Sequence, residues 1–186
     1  MTNAQYAAFL TAKGSNTSGQ PGECAWNTTY QPHTSQGGGC NPTTFDPVGK
    51  PDYPVSCVDW CDANAYCAWA GKHLCGKIGG GPLQFLDISG EWYVACSHDG
   101  ARMYPYGNSY EGTNCVGAEF DGVVGYNPNT DVVQPVGSAF LCEGGYAGIY
   151  DMSGNLYEWV NSCNGVTGSG DTCVLMGGSI TTGVST

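Results

Sequence analysis

Asp151-Met-Ser-Gly-Asn-Leu-Tyr-Glu-Trp-Val160 gathers oxygen ligands, turn-forming residues and aromatic side chains into ten positions. Asp151 and Glu158 offer carboxylates, Gly154 permits a tight backbone that turns carbonyls inward, and Tyr157 and Trp159 flank Glu158 as in a strand entering a core. Local chemistry leaves two readings open. One is a hard-cation loop running into a strand; the other is a Ser-Gly-Asn turn between two strands, with Asp151 capping backbone amides.

The rest of the chain sets the context for that stretch. At 186 residues it has the length of one domain, spanning 1–186, able to bury roughly 70% of its unfolded surface. Thirty glycines, ten prolines and 11% charged residues describe abundant turns and irregular chain rather than long solvent-exposed helices. The net charge of −11 would repel nucleic acid and anionic membranes and attract divalent cations, although acidity also serves solubility without any ligand. Eleven cysteines exceed what a reducing cytosol tolerates unless metal takes them up, and their spacing contains no pair of Cys-x-x-Cys knuckles. Cys24 with Cys40 and Cys163 with Cys173 bracket short loops as disulfides do, which predicts an oxidising, extracellular setting. The odd count leaves at least one cysteine outside any intrachain pair. Met1 to Lys13 lacks a continuous apolar segment and no run approaches membrane-spanning length, so the expectation is a removed leader or a piece of a longer protein.

Three helices are predicted. Thr2-Asn3 ahead of Ala4–Lys13 and then Gly14 reads as a capped helix with Tyr6, Phe9 and Leu10 on one face. Val58 to Leu74 repeats Ala63, Tyr66, Cys67 and Ala70 at helical spacing, with Asp59 or Asp62 near its start and Gly71 at its end. A third, short helix lies around Glu91 to Cys96. Residues 14–54 read as a long disulfide-pinned loop carrying Trp26 and Tyr30 inward, and everything after Gly100 as short strands and turns. Asn16 and Asn27 begin glycosylation sequons, meaningful in a eukaryotic host.

No catalytic constellation emerges from motif and spacing. Gly-x-x-x-x-Gly-Lys, Gly-x-Ser-x-Gly and His-Glu-x-x-His are absent, and the glycine triplets 37–39 and 79–81 do not sit between a strand and a helix. His73, beside Lys72 at a helix end, is expected to meet terminal carbonyls, and each cysteine is read as a half-cystine before a nucleophile. Tyr104, Tyr106, Tyr110 and Tyr126 suit either core packing or an aromatic-lined binding surface, with packing the expectation for most.

Several blocks in order carry a resemblance. With Thr2-Asn-Ala-Gln-Tyr-Ala-Ala-Phe9, Pro54 through Leu74, Glu91-Trp92, Tyr104-Pro-Tyr-Gly107, Pro135-Val-Gly137, the 151–160 run and Gly177-Gly-Ser179, the chain resembles the formylglycine-generating enzyme, or sulfatase-modifying-factor, family over essentially its whole length. The resemblance implies an α+β domain with little regular secondary structure, a variant of the C-type-lectin-like fold with bound calcium, here lacking the usual first strand and C-terminal segment. It implies a calcium site from the side chains of Asp151 and Glu158 and the carbonyls of Gly154 and Leu156. A second site would begin at Asn114 with the carbonyl of Cys115, with Asp121 and Asp131 both eligible as its later acid. True members oxidise a sulfatase cysteine with oxygen and copper held by two cysteines after Gly-Gly-Ser. The first of those positions is Thr182 here and the second would lie beyond Thr186, so no thiolate pair is present to hold Cu(I). The family also pairs the positions of Cys67 and Cys96 with cysteines of a C-terminal segment, which would leave both without their usual partners.

The expectation is a secreted, calcium-stabilised, disulfide-rich binding or structural module without oxidase activity in this chain, with an unidentified protein or glycan as partner. The alternatives are a fragment of a copper-dependent formylglycine-generating oxidase and a self-assembling extracellular surface or filament protein. The expected disulfides are Cys24–Cys40, Cys61–Cys75, Cys115–Cys142 and Cys163–Cys173.

Overall fold

The computed structural model describes residues 1–33 and 45–183; Cys40 and the 37–39 glycine triplet lie outside the described residues. Helix α1, Asn3–Lys13, starts where Thr2 and Gln5 form a reciprocal capping box, Gln5 N–H donating to Thr2 Oγ1 at 3.2 Å and Thr2 N–H to Gln5 Oε1 at 2.9 Å. It ends at Gly14, whose φ of 57° is cheap only for glycine. Tyr6 and Phe9 are fully buried, Leu10 partly so, and with Tyr30 and Val55 they form the N-terminal core; Tyr6 Oη donates to the Tyr30 carbonyl at 2.6 Å. Trp26 departs from the expectation. It is 42% exposed, lying over Gly168 rather than in the core.

Helix α2, Trp60–Trp69, is shorter than its periodicity suggests because both ends are capped inside the apolar repeat. Asp59 and Asp62 form its N-terminal box, while Gly71 N–H bonds to the Ala68 carbonyl and Lys72 N–H to the Cys67 carbonyl, the Schellman arrangement, with Gly71 at φ 69°. Helix α3, Glu91–Ser97, follows Gly90 and closes on His98 in the left-handed region. Beyond Gly100 the expectation of several strands reduces, among the described residues, to one antiparallel pair, β1 (Glu158–Cys163) and β2 (Cys173–Met176), with Glu158 opposite Met176, Cys163 opposite Cys173, and an irregularity between.

Two tryptophans lock β1 to the start of α2. Trp60 Nε1 donates to the Val160 carbonyl and Trp159 Nε1 to the Val58 carbonyl, both at 3.0 Å. Trp92 of α3, Met152 and Val160 form a second core, and Cys115, Val116, Ala139 and Cys142 a third. Each core is small, so covalent links carry stability that a larger core would supply.

The crosslinks correct two expected pairs. Cys24 bonds Cys61, with Cα atoms 5.7 Å apart, not Cys40, and Cys61 therefore does not bond Cys75, which is a free thiol. The reason is tertiary. Asn27 Nδ2 donates to buried Asp62 Oδ1 at 2.8 Å, which docks the short 3-10 turn Gly22–Cys24 onto the first turn of α2. Cys115–Cys142 and Cys163–Cys173 are present, and Cys57 is also disulfide-bonded. These bonds fit an oxidising compartment. Among the described residues no helix is long and apolar enough to cross a membrane.

Candidate functional site

The loop before β1 is shaped by three residues in the left-handed region, Asp151 (φ 61°), Gly154 (φ 89°) and Asn155 (φ 60°). Asn155, 2% exposed, clamps it: its N–H donates to the Val116 carbonyl at 2.7 Å, its Oδ1 accepts from Gln134 N–H and its Nδ2 donates to the Gln134 carbonyl, both at 3.1 Å. Gly154 is required by contact as well as by φ, since a Cβ there would lie 2.5 Å from the Val116 oxygen. Asp151 Oδ2 accepts from Gly137 N–H at 2.7 Å, and Glu158 Oε2 accepts from Trp92 Nε1 at 2.6 Å.

Burial raises the pKa of both carboxyls. For Asp151 the bonds from Gly137 and Asn155 oppose the rise; for Glu158 the Trp92 bond opposes it and the charge of Asp151 adds to it. Among the described residues neither acid is ion-paired to Lys or Arg. The carbonyls of Gly154 and Leu156 accept no hydrogen bond from a described residue. Two desolvated, mutually repelling carboxyls and two unengaged carbonyls in the same short segment are all hard oxygen donors. No cluster of three or more His, Cys, Asp or Glu side chains occurs among the described residues, so backbone oxygens would have to complete any cation site.

At the second expected site, Asn114 is half-buried with its N–H on the Glu111 carbonyl, and the Cys115 carbonyl already accepts from Gly117 N–H at 2.8 Å. The two eligible acids differ sharply. Asp121 is exposed, and its pKa is lowered by hydrogen bonds from Thr130 and Val123. Asp131 is 4% exposed; Oδ2 accepts from Asn127 N–H at 2.6 Å, while Oδ1 is buried with no hydrogen-bond partner.

Thr182 lines a cleft of about 270 Å³ between the 104–112 segment and the turns around Gly154 and Gly177. Its Oγ1 accepts from Ser179 N–H at 3.1 Å and shares a hydrogen bond with Tyr157 Oη at 3.3 Å. Cys115 is the cysteine of this lining, and its sulfur is bonded to Cys142. The wall holds Tyr104, Tyr106 and Tyr110, so the surface reading applies to these tyrosines, while Tyr106 also packs on the Cys115–Cys142 core. Tyr-Pro-Tyr-Gly was the visible signal; which segments it would face was not.

The free thiols lie elsewhere. Cys67 and Cys75 line a second cavity of about 300 Å³ next to Trp92 and Glu158, and Cys96 packs on the Trp92 core. Burial pushes the thiols of Cys75 and Cys96 up to about 11, which keeps them protonated and unreactive at neutral pH. His73 bonds Glu91 Oε2 at 2.9 Å in place of the terminal carbonyls expected of it.

A family description, the sulfatase-modifying factor enzyme 1-like domain, matches residues 1–186. The chain belongs to this family. It is 34% identical over 116 residues to a bovine protein named inactive C-alpha-formylglycine-generating enzyme 2, covering 61% of the chain and 34% of that relative. It is 32% identical over 125 residues to bovine formylglycine-generating enzyme, covering 60% of the chain and 28% of the relative. With the Thermomonospora curvata formylglycine-generating enzyme it shares 28% identity over 194 residues, 86% of the chain and 56% of the relative. The chain thus spans between about a quarter and just over half of the length of these relatives.

Proposed function

We propose that this sulfatase-modifying-factor-like domain is a secreted, calcium-stabilised binding or structural module that does not itself oxidise cysteine. The observation that carries this reading is the state of the cleft: Thr182 stands where the resemblance calls for a copper-binding thiolate, its hydroxyl is engaged by Ser179 and Tyr157, and the sulfur of Cys115 is in a disulfide. A hydroxyl and a disulfide do not fit Cu(I), which prefers soft thiolates, and no step is assigned to copper here. The lectin-like reading of the fold belongs to the same proposal, supported by the scarcity of regular elements and by loops that build both the cleft and the acidic site.

Calcium fits the 151–158 loop, with Asp151 and Glu158 as side-chain ligands and Gly154 and Leu156 as carbonyl ligands; when bound it would neutralise the two carboxyls and order the loop. Asp131 is the acid favoured for a second site with Asn114 and Cys115, because its buried Oδ1 lacks a partner. The competing reading, a fragment of an oxidase, draws on the relatives named formylglycine-generating enzyme.

Two measurements test the proposal. Purified protein supplied with copper and oxygen should leave a sulfatase-type cysteine peptide unchanged by mass; an aldehyde product overturns the non-oxidising reading. Saturating calcium, at about 100 times its dissociation constant, should add about 2.7 kcal/mol, or roughly 5–10 °C of Tm, and Asp151→Asn should abolish that gain. A Tm indifferent to chelation removes calcium from the account.

A further inference from the structure

The wall of the Thr182 cleft is built before any ligand arrives. Tyr104 and Gly107 exchange backbone hydrogen bonds at 2.8 and 3.2 Å across fully buried Pro105, and Met103 N–H is held by Asn108 Oδ1 at 2.8 Å. Within that turn the rings of Tyr104 and Tyr106 lie parallel, centroids 5.7 Å apart at an interplanar angle of 6°, and Tyr110 stands edge-on to Tyr104 at 5.6 Å. Two of the three phenol tips are already committed. Tyr106 Oη bonds both the carbonyl and the N–H of Glu111, and Tyr110 Oη donates to Glu119 Oε2 at 2.9 Å. The rings, rather than those hydroxyls, are therefore what the wall offers.

Charge narrows the choice of occupant. Among the described residues Glu111 is the one ionisable carboxylate in the lining and no Lys, Arg or His lines the cleft, while Glu119, 8% exposed, lies directly behind Tyr110. An anionic ligand would meet two acids in a chain of net charge −11. Burial, followed by the neighbouring Glu119, pushes the Tyr110 hydroxyl up to about 12, so its ring is a neutral phenol that donates to a carboxylate. Such a donor has its π electrons enriched, which strengthens attraction for a cation over the face. The volume, about 270 Å³, is just below the ~300–1,000 Å³ typical of pockets for drug-sized ligands and suits one side-chain head group.

We propose that this cleft binds an alkylammonium group, the protonated or N-methylated amine of a lysine-like side chain, with the rings of Tyr104, Tyr106 and Tyr110 as its aromatic wall and Glu111 and Glu119 as its counter-charge. This rests on the binding-module reading and specifies what the module would recognise.

The test is calorimetric titration of the whole chain with Nα-acetyl-Nε-trimethyllysine methylamide, its unmethylated lysine counterpart and the neutral norleucine counterpart. The ammonium compounds should bind at least about tenfold more tightly than norleucine, and Tyr104→Leu or Tyr110→Leu should each weaken them by about fivefold. Tyr110→Phe keeps the ring, loses the Glu119 bond and should fall between. Near-UV circular dichroism of each variant confirms an intact fold. Equal binding of norleucine, or no saturable binding by any of the three, overturns the inference while leaving the non-oxidising reading intact; aldehyde formation in the peptide assay overturns that reading separately.

Discussion

Replacing Asp62 by asparagine should abolish the pH dependence that this residue imposes on stability. Asp62 is the third residue of α2 and 1% exposed; it accepts from Asn27 Nδ2 at 2.8 Å and from Asp59 N–H at 3.3 Å, while the Asp59 carboxylate, His33 on its far side, and the rings of Tyr6 and Tyr30 complete its surroundings. Burial, then repulsion from Asp59, raises its pKa from 3.8 to about 7 despite the opposing hydrogen bonds. The unfolded chain ionises this carboxyl near pH 4 while the folded chain holds its proton to about pH 7, so stability is fully present below pH 4 and declines as pH rises between those values. A shift of that size corresponds to roughly 4 kcal/mol. Asp62→Asn has no charge to bury but keeps only one of the two accepted bonds cleanly, a loss of about 1 kcal/mol. The variant should therefore be about 1 kcal/mol less stable than the parent at pH 4 and roughly 3 kcal/mol more stable at pH 8. Urea unfolding at pH 4, 5.5, 7 and 8.5, taken as the difference between the two proteins, cancels the other carboxyls. A difference that stays constant across that range would refute the burial argument.

Two further outcomes are expected. Replacing Cys163 and Cys173 together by alanine opens a loop of sequence separation 10 at the end of the only described sheet and should cost roughly 3 kcal/mol, read as an earlier urea midpoint. Gly154→Ala must hold φ 89° and press a methyl to 2.5 Å from the Val116 oxygen, so its thermal midpoint should fall by at least about 5 °C, with any calcium response falling alongside.

What could be read from sequence was what is decided locally. Thr2, Asn3 and Gly14 announce α1 because caps act within a few residues. Asp151 to Glu158 announces an oxygen-rich turn because its φ-positive positions fall on Asp, Gly and Asn. The repeat after Val58 runs past α2 at both ends, because the Asp59 box starts the helix at Trp60 and Gly71, which the sequence marked as its end, stops it while apolar residues continue. Long-range pairing was legible only in part: Cys115–Cys142, at a separation of 27, was expected and is present, whereas Cys24 finds Cys61 through the Asn27–Asp62 contact, at a separation of 37, and the shorter path to Cys40 carried no signal against it. The cleft escaped for the same reason, since it exists only where 104–112 meets the turns at 154 and 177–183.

The Cys24–Cys61 link also bears on the order in which crosslinks form. A chain lengthening from its N-terminus presents Cys24, then Cys40 and Cys57, before Cys61 arrives. Oxidation that keeps pace with synthesis would capture Cys24 with an earlier thiol, and that first bond has to be undone. Reaching Cys24–Cys61 from such an early bond would take thiol–disulfide exchange, which a mixed thiol–disulfide buffer supplies and an oxidant alone does not.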